Sequence, residues 1–85
     1  MDLDEIETQL AAAIKESKAW IPPDQIGDML ELVRAGEPGI ALENLCTQLF
    51  EFDAVIPLDL RERLGRLGKE MGIANEYWRR LAVPE

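Results

Sequence analysis

The residues that ordinarily carry chemistry are nearly absent. The 85-residue chain has no histidine, one serine, Ser17, and one cysteine, Cys46. Without histidine there is no Ser-His or Cys-His pair, and the commonest general base is missing. A Cys/His zinc site is impossible, and a lone cysteine closes no internal disulfide. Cys46 falls on an apolar stripe with Leu42 and Leu49 and has no basic neighbour in sequence, which predicts a buried, inert thiol. Ser17 stands in Glu16-Ser17-Lys18, not in the Asp-Ser-Leu setting that holds the arm of an acyl carrier.

What remains is carboxylates. Paired acids can do acid/base work, as in glycosidases, but a chain this short has little room for a substrate cleft. No Asp/Asn ladder with a central glycine and a terminal glutamate marks a calcium loop. Asp24 and Asp28 share a helical face without a third ligand. The expectation is a protein that is not an enzyme and uses neither metal nor cofactor.

Seventeen acids against nine bases give a net charge of −8. Residues 1–59 carry thirteen acids and three bases, net −10, and residues 60–85 carry four acids and six bases, net +2. Nucleic acid and anionic membranes want a basic face, so neither is an expected partner. A strongly acidic side instead suits fast, steered association with a basic protein surface. The acidic start, Met1-Asp2-Leu3-Asp4-Glu5, is unlike a secretory leader, and a single free thiol is ordinary in the cytoplasm, which is the expected compartment.

Proline and glycine divide the chain into helical periods, within a single expected domain over residues 1–85. Leu3, Ile6, Leu10, Ala13 and Ile14 recur at three- and four-residue steps between about Asp2 and Lys18. A second helix is expected from Pro23 to about Ala35, with Ile26, Met29, Leu30 and Val33 inward and Gly36 in the left-handed position beyond it. A third opens at Pro38 and buries Ala41, Leu42, Leu45, Cys46 and Leu49, with Phe50 and Phe52 extending the stripe. Val55 and Ile56 tuck under the core as a connector. Pro57 opens a fourth helix with Leu60, Leu64, Leu67 and Met71 as its seam. Gly65 and Gly68 lie off that seam, where they permit close approach of a neighbour. Gly72 ends it, and Asn75 caps a short fifth helix that presents Tyr77 and Trp78, the latter closing one end. The fold expected is an all-α bundle of four main helices plus a short C-terminal helix, free as a monomer or weak homodimer.

If the third helix buries that stripe, Glu43, Asn44, Thr47 and Glu51 point outward at ~100° per residue, together with Ile40. Asp53 and Glu37 flank its two ends. Asp28 and Glu31 add charge on the second helix. These eight polar residues are the candidate partner-binding surface, an acidic strip with an apolar component.

The stretch Gly36-Glu37-Pro38-Gly39-Ile40-Ala41-Leu42-Glu43-Asn44-Leu45-Cys46, continuing Gln48-Leu49-Phe50-Glu51-Phe52-Asp53, resembles the MafI family of bacterial immunity proteins. Pro57, Leu64-Gly65-Arg66-Leu67-Gly68, Met71-Gly72 and Trp78 extend the likeness, which covers about residues 24–82. The resemblance implies a small non-enzymatic protein that neutralises the toxic domain of a polymorphic toxin and so protects the producing cell and its kin. It transfers no residue-level contact set. The rival reading is an acidic helical adaptor or regulatory module within a protein complex.

Overall fold

A computed structural model describes residues 1–85. The chain is all-α and has no strands. Helix α1 spans Leu3–Glu16 and runs into a 3-10 turn at Ser17–Ala19; α2 spans Pro23–Arg34, α3 Pro38–Glu51, α4 Leu58–Glu70 and α5 Glu76–Arg79. No helix is long and apolar enough to cross a membrane.

The helix starts follow from residue chemistry. The Asp2 carboxylate accepts from the Glu5 N–H at 2.8 Å, and Asp4 and Glu5 place negative charge at the positive end of α1. α2 and α3 have proline at the first helical position, where the missing N–H costs nothing, and Pro57 precedes α4 directly. Asn75 differs from expectation. Its backbone is already helical and its side chain caps nothing, so the single turn of α5 is held by packing.

The three helix ends use one device. Beyond α2, Glu37 N–H donates to Leu32 O and Gly36 N–H to Val33 O; beyond α4, Ile73 N–H donates to Gly68 O and Gly72 N–H to Lys69 O. This paired closure needs a left-handed residue, and Gly36 (φ 80°) and Gly72 (φ 70°) supply it. Beyond α3, Ala54 N–H donates to Leu49 O and Asp53 N–H to Phe50 O in the same pattern. There the left-handed residue is Asp53 (φ 52°), not a glycine.

One core joins all the elements. Leu10, Ile14, Met29, Leu42, Leu45, Leu49, Leu60, Leu64 and Leu67 are buried, each from the apolar face its spacing defines. Cys46 is fully buried among them, as its stripe predicts. The Ser17 hydroxyl, also buried, donates to Ala13 O at 2.8 Å and so carries no free polar group into the core. Four apolar residues depart from expectation. Val55, expected to tuck under the core beside Ile56, is exposed instead, because successive side chains of an extended segment point to opposite sides. Leu3 lies in the solvated first turn of α1 and is exposed. Phe50 and Phe52 do not extend the inner stripe of α3: they are 45% and 47% exposed. Phe50 is rotated ~100° from Leu49, and Phe52 lies past the last helical residue.

The C-terminal segment closes the structure. Trp78 and Leu81 are buried, while Tyr77 and Trp20 are half-buried against the core. Ile56 is buried, and its N–H donates to Ala82 O at 2.9 Å. Val55 is exposed and forms a single parallel bridge with Ala82. Arg61 donates to Leu81 O at 3.0 Å. The Arg63 guanidinium grips the Glu16 carboxylate through two bonds, at 2.7 and 2.8 Å, and ties α4 to α1. That contact holds the Glu16 carboxyl below the usual carboxylate range, chiefly through the hydrogen bond.

Candidate protein-binding surface

The outer face of α3 is set by what its inner face must bury. With Ala41, Leu42, Leu45, Cys46 and Leu49 inside, Asn44 and Glu51 stand exposed on the other side, and Ile40 is exposed in line with them. Glu43 and Thr47 are only half-buried. Thr47 shares a shallow depression with Ala74, Glu76, Tyr77 and Arg80. Asp53 follows at the C-terminal end of the face and is exposed. Glu37 stands at the other end, ~20 Å away along the helix. Glu43, Asn44, Thr47, Glu51 and Asp53 are thus carried by one helix and its cap. Asp28 and Glu31 are exposed on α2, and the Glu31 carboxylate is held by Arg34 at 2.9 Å.

Beyond Ile40, the apolar part of this surface was not anticipated from the sequence. Within nine residues of chain, Phe50, Phe52, Val55 and Leu58 are each about half exposed. They alternate with Glu51 and Asp53, so aromatic and aliphatic groups are interleaved with carboxylates. Phe50 and Asp53 border a second depression, together with Ala54, Arg80 and Ala82, and Val55 adjoins it through its bridge to Ala82. The signal was present in the sequence. Phe50 is out of phase with the Leu42–Leu45–Leu49 stripe, and phase decides burial where hydrophobicity alone does not.

Arg80 was not foreseen either. Its guanidinium sits 4.1 Å from the centroid of the Phe50 ring and covers one side of it. This cation–π contact, worth ~0.5–1 kcal/mol at an exposed site, fixes the ring's orientation and sets one positive charge into an acidic strip. Orienting an exposed aromatic before contact removes part of the ordering cost of binding.

The Cys46 thiol is no reactive group here. Desolvation pushes its pKa up to about 12, with the Arg80 charge acting weakly the other way. No group of three acids or thiols converges as a cation site would require.

Comparison of the chain with protein-family models, with curated proteins and with solved structures finds no match.

Proposed function

We propose that this chain is an immunity protein of the MafI type that binds a cognate bacterial toxin domain in the cytoplasm and neutralises it by covering or blocking its active site. The observation that carries the reading is the exposed pair Phe50 and Phe52 set between Glu51 and Asp53. Large rings that a core could have taken are left in water beside acids. This is the composition of an interface centre, where aromatics anchor and carboxylates select. The resemblance centred on residues 36–53 covers the same segment. The net charge of −8 suits a basic partner such as a nuclease-like toxin, whose substrate groove is cationic.

In this reading the rim acids Glu43, Glu51 and Asp53 draw the toxin in, and the rings slow its release. The test is protection of cells that express the toxin domain encoded beside this gene. A Phe50→Ser/Phe52→Ser variant should bind the toxin at least about tenfold more weakly, mostly through faster release, while keeping its helical circular dichroism. Charge reversal of Glu43, Glu51 and Asp53 should slow association, most strongly at low salt. Full protection by both folded variants would move the contact elsewhere. A neighbouring frame that encodes no toxin would favour the adaptor reading.

A further inference from the structure

The most basic part of the surface lies on α4 and α5. Arg61, Arg66 and Lys69 from α4 and Arg79 from α5 line one open cleft of 540 Å³, with Glu62 as its only carboxylate. The chain has seventeen acids, yet none pairs with Arg66, Lys69 or Arg79: the ion pairs present use only the Met1 ammonium, Arg34 and Arg63. Arg61 spends one N–H on Leu81 O and keeps the rest of its fork. Four cations share the cleft with a single carboxylate, so a net positive charge is left over, and an arriving anion relieves the repulsion among them.

The wall of the cleft adds a second feature. Trp78 is buried except for its edge, which lines the cleft beside Gly65. A Cβ on Gly65 would stand 3.0 Å from the indole Nε1, so this nitrogen sits directly over bare helix backbone.

We infer that this cleft binds an acidic segment of a protein partner, its carboxylates received by Arg61, Arg66, Lys69 and Arg79 beside the exposed edge of Trp78. Shape and charge choose this occupant. From Arg61 to Lys69 the trough runs ~12 Å along α4, the length of about four extended residues. It is open and lined mainly by charged side chains, whereas sites for free small molecules enclose most of their ligand in apolar walls. A long nucleic acid would meet the net charge of −8, while a short acidic peptide meets mainly the cleft once salt screens charges beyond ~10 Å. Arginine forks suit carboxylates bidentately, and three of the four cations are arginine. The inference stands apart from the toxin reading, which uses α3 and the connector after it.

The experiment uses a Trp20→Phe variant, so that Trp78 is the one tryptophan, and follows its fluorescence and the backbone amide NMR shifts. The probe is blocked tetraglutamate in buffered 0.1 M salt, with tripolyphosphate and tetralysine run in parallel. Saturable binding of tetraglutamate is expected, with amide shifts confined to α4, α5 and the loop between them. Arg66→Ser/Arg79→Ser should weaken it about tenfold or more, and Lys69→Ser should weaken it on its own. All three side chains are exposed and unpaired, so both variants should keep the native amide spectrum. Absence of saturation, shifts outside α4, α5 and the loop between them, or unchanged affinity in both variants overturns the proposal. Saturation by tripolyphosphate without tetraglutamate overturns it as well, in favour of a phosphate site.

Discussion

The Trp78 ring lies against Gly68 so closely that a Cβ there would overlap it, and the same indole passes over Gly65. Two glycines inside α4 weaken the isolated helix by ~1 kcal/mol each. Burying one tryptophan, at ~25 cal/mol per Å² over ~200 Å², returns several kcal/mol. The helix therefore carries a local defect that the last ten residues of the chain repair. Gly68→Ala should destabilise by ~1–3 kcal/mol, because the overpacking exceeds the helix gain. Gly65→Ala should cost less, since its neighbours stand at 3.0 and 3.1 Å and can shift. Gly27→Ala is the control. Nothing lies within 4 Å of its Cβ position, so the same substitution should stabilise by ~0.5–1 kcal/mol. Urea melts of the three variants check the opposite signs.

Asp53 occupies the left-handed position that Gly36 and Gly72 fill elsewhere. A non-glycine residue pays ~1–2 kcal/mol there, somewhat less for aspartate. Asp53→Gly should raise stability by ~1 kcal/mol, which for a chain of this size is a rise of ~4–8 °C in Tm. On the proposed immunity function, the same variant should protect less well against a cognate toxin, because it loses a carboxylate beside Phe52. A variant that is more stable and equally protective would make Asp53 a mere imperfection.

The Glu16–Arg63 pair gives a pH dependence of known sign. The folded state holds the Glu16 carboxyl below its ordinary value, chiefly through the Arg63 hydrogen bond. Its stabilisation is therefore complete above the unfolded pKa of ~4.3 and is lost as pH falls through the lower folded value. Both side chains are partly exposed, so Glu16→Gln should cost only ~0.5 kcal/mol at pH 7. That difference should shrink as the pH falls below the ordinary carboxylate range, as stability curves of the two proteins would read directly.

Cys46→Ala should cost ~1 kcal/mol for the small cavity it leaves. With the thiol buried and its pKa pushed up to about 12, a thiol reagent should label the native protein only as fast as it opens. Rapid labelling without unfolding would contradict the burial.

Most of the fold could be read from spacing. The seam Leu60, Leu64, Leu67 and the stripe Leu42, Leu45, Leu49 are periodic, and Pro23, Pro38, Gly36 and Gly72 punctuate by backbone chemistry alone. Gly65 and Gly68 signalled a close approach, but nothing local says that the approaching group is Trp78. The Val55–Ala82 bridge joins positions far apart in sequence, and short-range period carries no record of such a pairing. At the candidate surface the acids were legible because charge is tied to exposure. The exposed rings were legible only in the phase of Phe50, since hydrophobicity is a one-way rule: core residues are apolar, but apolar residues need not be core. Arg80 on Phe50 depends on where α5 docks, which only the packing of Trp78 decides.

With the Cys46 thiol pushed up to about 12 and the Met1 ammonium held above its ordinary value by its hydrogen bond to Glu70, the groups nearest neutrality are moved away from it. There is no histidine to take their place. Few of the molecule's own groups are therefore left to change charge near neutral pH, and a partner would meet nearly the same field from it across that range. A pH dependence of capture found there would point first to the partner. A titration of such a complex would become chiefly a reading of the partner's own ionisable groups.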